Sequence, residues 1–171
     1  IRNVIRPLIK NNEIGMCAGN PQPVVGITFT EKAEKSMYEV YASLLKGIDN
    51  GASVFSADGR MLAYRKELVK KIHVPHDMIA NDVYTYFRCV TLGYKHKYVP
   101  TALVYFRAPQ TLEDKIKQNT RTAAIPLRML RYFPEELVQR KLSIPLNVRF
   151  KIIIGQFIKN PIMCMYISLI N

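Results

Sequence analysis

The sequence predicts an α/β fold with a mixed sheet, followed from about residue 123 by short helices. Three observations carry this. Short apolar segments bounded by Gly and Pro alternate with longer runs whose apolar residues recur at helical spacing. The chain has 171 residues and is 49% hydrophobic, which is enough to bury one core and too apolar for a disordered chain. Beyond Thr122, Pro126, Pro134, Pro145 and Pro161 cut the remainder into short pieces.

Taken in order, Val4 to Ile9 is an apolar patch ringed by Arg2, Arg6 and Lys10. Pro7 stands there either in a first helical turn or at a helix end. Ile14 to Cys17 and Val24 to Phe29 read as strands, separated by turn chemistry at Gly19-Asn20-Pro21. Thr28-x-x-Glu31 has the form of a capping box, and Thr30 is an equally good cap by position. The helix over 31–47 carries Ala33, Met37, Val40, Tyr41, Leu44, Leu45 and the adjoining Ile48 along one side. Glu31, Lys32, Glu34, Lys35 and Glu39 cover much of the rest, and Gly47 suits the C-cap.

Gly51 to Ala57 reads as a loop and a short strand, Asp58-Gly59 as a turn, and Met61 to Tyr64 as strand-like. A short helix over 65–72 turns Leu68 inward and ends before Val74-Pro75. A helix over 82–92 is opened by Asp82 and stopped at Gly93. Tyr84, Phe87 and Val90 share one of its faces, with Tyr86 and Arg88 pointing elsewhere. Lys95-His96-Lys97 reads as a basic turn, and Thr101 to Phe106 as a strand buried on both sides. Thr111-x-x-Asp114 repeats the capping-box form, with Asp for Glu. It opens a helix over 112–122 that carries Gln118-x-x-Arg121.

Lys+Arg 25 against Asp+Glu 13 leaves a net charge of +12, which implies an anionic partner: phosphate groups, nucleic acid or an acidic membrane face. Cys17, Cys89 and Cys164 are odd in number and far apart, which argues against a disulfide scaffold and for a reducing compartment. His73 and His76 have no thiol near them and read as loop or surface residues rather than metal ligands. No apolar run reaches the length of about 18 residues that marks a spanning helix.

The stretch from Val74 to Thr122 carries the chemistry. An acid at a helix start, a strand, then a polar and cationic helix can be built around one pocket. Asp82 at a helix N-terminus keeps its charge, as a general base must. The same position also serves as an ordinary cap. Gln118 and Arg121, three apart, form either a site or a solvated helix face. Asp58 is by composition a turn former and Arg65 a solvated helix start.

The order of these pieces resembles the C-terminal half of the catalytic domain of family 2 glycosyltransferases, nucleotide-sugar enzymes of the GT-A fold. That family carries an acidic pair, a helix and a Gly, here Asn81-Asp82 and Gly93. A Val-Pro-x-Ala segment follows, here Val99-Pro100-Thr101-Ala102, and then Gln-x-x-Arg, here Gln118 to Arg121, with Thr122 where Trp often closes the motif. Gly59-Arg60-Met61-Leu62-Ala63-Tyr64-Arg65-Lys66 is similar to the acceptor-side segment ending in an Arg. The likeness covers roughly Asn3 to Thr122.

The resemblance implies a partial GT-A domain, with residues 1–122 as the acceptor-side half and 123–171 as a basic amphipathic, membrane-interfacial helical region. It implies inverting transfer from a nucleotide sugar to a hydroxyl acceptor, polysaccharide or lipid-linked, with Asp82 as base. Asp58, Arg65, Gln118 and Arg121 would contact acceptor or phosphate. The family's Asp-x-Asp motif binds a divalent metal, Mg or Mn, in the complete enzyme. That motif is not in this chain, so no metal is expected on these residues and the fragment alone should be inactive. Arg and Lys interleaved with bulky apolar residues after Thr122 suit helices lying on the cytoplasmic face of a membrane, or an ordinary helical cap on the domain. Two other readings stand beside this: a non-catalytic membrane-surface or interaction domain, and a nucleic-acid-binding module. The last is disfavoured because Tyr41, Phe87 and Phe106 sit in apolar stripes rather than on an exposed basic face.

Overall fold

A computed structural model describes residues 1–45 and 48–170 of the chain. It is a mixed α/β structure organised on the central strand β1 (Ile14–Pro23). β2 (Leu62–Tyr64) pairs with one edge of β1 antiparallel, and β3 (Lys95–Phe106) with the other edge parallel, giving the order β2-β1-β3. Helix α1 (Arg2–Lys10) precedes the sheet, α2 (Phe29–Leu45) follows β1, and α3 (Lys66–Val69) and α4 (Asn81–Thr91) lie between β2 and β3. After β3 come α5 (Leu112–Ala123), α6 (Ile125–Met129), α7 (Glu135–Leu142), α8 (Leu146–Lys159) and α9 (Pro161–Ile170).

Several expectations change at the N-terminal end. Helix α1 runs through Pro7 rather than starting or stopping there. Proline removes one intrahelical bond and costs about 3 kcal/mol in a helix interior. Val4 and Leu8 are buried in a cluster with Ile14, Cys17, Val99 and Ala102, and this tertiary burial outweighs that cost. Gly19-Asn20-Pro21 does not turn the chain; it lies inside β1, where the register with β3 shifts between Ala18 and Asn20. Gly19 is needed because a Cβ there would stand 2.8 Å from the Ala102 carbonyl oxygen. Val24 to Phe29 forms no strand. Val25 and Ile27 are exposed, and Phe29 already belongs to α2.

The capping box of α2 forms as the sequence suggests. Glu31 N–H donates to Thr28 Oγ1 at 3.2 Å, and Thr28 N–H donates to Glu31 Oε2 at 2.9 Å. Thr30 is not the cap; it sits inside the helix, 2.9 Å from the Tyr166 hydroxyl of α9. Glu31 and Glu34 are buried rather than exposed, because cations from later in the chain reach them. Arg107 Nε meets Glu31 Oε1 at 2.7 Å, and Lys115 Nζ meets Glu34 Oε1 at 2.7 Å. The Arg107 hydrogen bond, helped by the backbone N–H groups of Thr28 and Ile27, holds the Glu31 carboxyl down at about 2. Gly47, expected as the C-cap, and the side chains of Val40 and Leu44 lie outside the described residues.

Between α2 and β2 the expected short strand is absent. Asp49, Asn50 and Gly51 all have positive φ, and single 3-10 turns at Asp49–Gly51 and Val54–Ser56 fill the segment. Lys95-His96-Lys97 opens β3 instead of forming a turn. Strand alternation sends both lysines to solvent and His96 inside. There His96 Nε2 lies 2.9 Å from Ser56 Oγ and the ring packs edge-on to Tyr86 at 5.3 Å. Burial pulls the His96 pKa down to about 4, so the ring is neutral at pH 7 and does not add to a basic patch. Tyr86 itself is fully buried, its hydroxyl donating to the Ala52 carbonyl. The end of β3 is one-faced rather than doubly buried: Ala102 is inside, while Thr101, Leu103 and Tyr105 are exposed.

The main core gathers Met16, Leu68, Tyr84, Phe87 and Cys89 with Met129, Phe133 and Val138 from beyond residue 123. Phe87 stacks on Phe133 with ring centroids 5.0 Å apart. Helices α8 and α9 lie on α2, where Tyr166 meets Phe29 edge-on and Asn160 Nδ2 donates to Ser36 Oγ. Among the described residues no helix is long and apolar enough to cross a membrane.

Candidate functional site

The turn before β2, the start of α4, the middle of α5 and one residue of α2 converge on a cleft of about 500 Å³. Its polar lining includes Asp58, Arg60, Asp82, Gln118, Arg121 and Tyr38. Four of the five residues singled out from the sequence are therefore brought together: Asp58, Asp82, Gln118 and Arg121.

Asp82 is the second residue of α4, whose N-cap is Ala80 and makes no side-chain cap bond. The Asn-Asp pair is thus in the first turn rather than capping it. Asp82 Oδ1 accepts the Val83 N–H at 2.8 Å, and Oδ2 accepts the Gly59 N–H at 3.1 Å. A Cβ on Gly59 would stand 3.3 Å from Asp82 Oδ2, so the carboxylate would have to give by a few tenths of an ångström.

Asp58 is a turn former and more. Its Oδ1 accepts the Arg60 N–H at 2.9 Å, and its Oδ2 is ion-paired to Arg60 Nη1 at 2.7 Å. The Arg60 guanidinium lies over the Phe106 ring, Cζ to centroid 3.7 Å, with Nη1 also 3.5 Å from the Tyr38 hydroxyl. Gln118 and Arg121, three apart on α5, face the same cleft. Thr111 caps α5: Asp114 N–H donates to Thr111 Oγ1 at 3.1 Å, and the Thr111 hydroxyl donates to Asp114 Oδ2 at 2.8 Å, so the reciprocal backbone bond of a full capping box is replaced by a side-chain one. Gln118 Oε1 is buried with no hydrogen-bond partner among the described residues.

Arg65 does not join them. Its Nε donates to the Ile14 carbonyl at 2.9 Å, and Nη2 to the carbonyls of Leu8 and Asn11. Nη1 reaches Asn12 Oδ1 at 3.2 Å. The guanidinium fork ties the C-terminal end of α1 to the start of β1, where the last carbonyls of a helix attract a cation. Arg60 and Tyr38 were missed by sequence reasoning. Arg60 could have been found as the cation two residues after Asp58. Tyr38 gave no signal, because it lies beside the apolar stripe of α2.

These residues do not fit a divalent cation. Asp58 is paired with Arg60, both Asp82 oxygens accept backbone N–H groups, and no group of three or more His, Cys, Asp or Glu side chains among the described residues is placed to hold a metal.

The model of a family described as glycosyl transferase family group 2 matches residues 3–169. No curated protein matches the chain.

Proposed function

The chain belongs to glycosyl transferase family group 2, and from that premise we propose that it supplies the acceptor side of an inverting sugar transfer from a nucleotide-sugar donor. The observation that supports this is the meeting of Asp82, Gln118 and Arg121 in one cleft. Asp82 takes the proton of the acceptor hydroxyl. The oxygen then attacks the anomeric carbon from the face opposite the departing nucleoside diphosphate, so the configuration inverts. Arg121 offsets phosphate charge and Gln118 orients a hydroxyl. In the family that the resemblance points to, an Asp-x-Asp motif would hold the divalent ion and donor, and that motif is not among these 171 residues. The test is the anomeric configuration of the product made by the full-length protein. Inversion is expected, and retention overturns the mechanism.

The acceptor side works at the cytoplasmic face of a membrane. Phe150, Ile153, Ile154, Phe157 and Ile158 are exposed on α8 at helical spacing, and Ile162, Met165 and Leu169 continue the apolar surface on α9. Arg149, Lys151 and Lys159 flank them, and no acidic residue follows Glu136. Such a stripe suits the headgroup region of an anionic bilayer. The double variant Phe157→Glu, Ile158→Glu should bind vesicles containing anionic lipid at least about tenfold more weakly in flotation, since each side chain contributes about 1.5–3 kcal/mol when buried. Equal flotation of variant and parent rules out this face.

A further inference from the structure

We infer that Arg60 is a positioning residue, which sets the Asp82 carboxylate by clamping the turn whose amide holds it. The inference rests on the reading of Asp82 as base, and it concerns a residue that contacts no part of Asp82 directly in any bond described above.

The cleft holds two carboxylates, yet they are treated differently. Asp58 is bound twice by Arg60, through the backbone N–H at 2.9 Å and through Nη1 at 2.7 Å. Asp82 forms no ion pair among the described residues; its partners are the Gly59 and Val83 amides. Gly59 lies between Asp58 and Arg60, so the bonds that close the Asp58–Arg60 turn also aim the Gly59 N–H at Asp82 Oδ2. The guanidinium is fixed from outside the turn. It stacks on Phe106 at 3.7 Å, and Phe106 is in turn met edge-on by Tyr38 at 5.2 Å. Strand β3, helix α2 and the turn are thereby locked on one cation.

Two effects follow for the reaction. The carboxylate that acts is held by backbone dipoles that need no rearrangement as the proton arrives. The neighbouring carboxylate is neutralised, so it neither repels Asp82 nor competes for the acceptor hydroxyl. Loss of the clamp lets the Gly59 amide leave Oδ2 and the Asp82 carboxylate rotate. Misplacement of a catalytic group by about 1 Å can cost about 100-fold in rate.

The experiment compares Arg60→Ala, Arg60→Lys and Asp58→Asn in the full-length protein, reading steady-state transfer and hydrogen exchange at the Gly59 amide. Arg60→Ala should lower kcat by about 10–100-fold with donor KM unchanged, and speed Gly59 exchange by about tenfold or more. Arg60→Lys keeps a cation over Phe106 and beside Asp58, and should restore most of both. Asp58→Asn removes the charge pair without removing the side chain, and should reproduce both defects if Arg60→Ala is too unstable to assay. An unchanged kcat, a lowered kcat with Gly59 exchange unchanged, or an effect confined to KM overturns the clamp. The exchange measurement separates the two ideas. If Asp82→Asn proves harmless while Arg60→Ala still frees the Gly59 amide, the clamp stands as geometry and the base assignment alone falls.

Discussion

Asp82→Asn in the full-length protein is expected to lower sugar transfer by about 10²–10⁴-fold at saturating donor and acceptor, with the fold and donor binding retained. The amide is nearly isosteric with the carboxylate. Its oxygen can keep one of the two backbone donors, Gly59 or Val83, but its NH₂ must face the other. That mismatch costs little beside the chemistry lost, because an amide cannot accept the hydroxyl proton. Arg121→Ala, at another residue lining the cleft, should also slow transfer through lost charge stabilisation. A near-normal rate for Asp82→Asn would leave Asp82 as an acid that merely suits a helix start.

Lys115→Ala should destabilise the protein by about 3–5 kcal/mol, read as a shift in urea-unfolding free energy. The Lys115–Glu34 pair is closed to water, with side chains only 5% and 3% exposed and a 2.7 Å separation. Removing the ammonium strands a buried carboxylate, which costs far more than a surface ion pair contributes. Replacing both partners by apolar residues, Lys115→Met with Glu34→Leu, should recover most of the loss. The pair joins α2 to the first turns of α5, so the single variant should also loosen the helix carrying Gln118 and Arg121. A cost below about 1 kcal/mol would mean that water reaches the pair.

What could be read from the sequence follows the range of the interaction that decides it. The capping box at Thr28/Glu31 and the Thr111 cap on the Asp114 N–H were legible because both partners lie within four residues. The helix of Asp82 and the spacing of Gln118 and Arg121 were legible from helical periodicity. The burial of Glu31 was not, because its cation Arg107 lies 76 residues away. Local composition made it a surface acid. His96 was hidden by its two lysine neighbours, whose charges suggested a turn and masked the strand alternation beneath. For Arg65 composition suggests a solvated helix start and the resemblance an acceptor or phosphate contact, while nothing local shows that the carbonyls of Leu8, Asn11 and Ile14 surround it. The pairing of Arg60 with Asp58 is local, but its seat on Phe106 is made only by the fold.

The parallel pairing of β1 with β3 also sets the order in which this chain can acquire structure. β1 leaves the ribosome before β2 and β3, but its longer ladder, from Ile14 opposite Lys95 to Pro23 opposite Phe106, must wait for the last of β3. Helix α1 waits with it: Val4 and Leu8 find Val99 and Ala102 only then, and Asn3 donates to the Thr101 carbonyl 98 residues on. Closing so long a loop precedes any return from these contacts, so assembly is slow and non-local. Until Phe106 has emerged, a nascent chain carries an apolar strand with an open edge, the state in which a chaperone has most to protect.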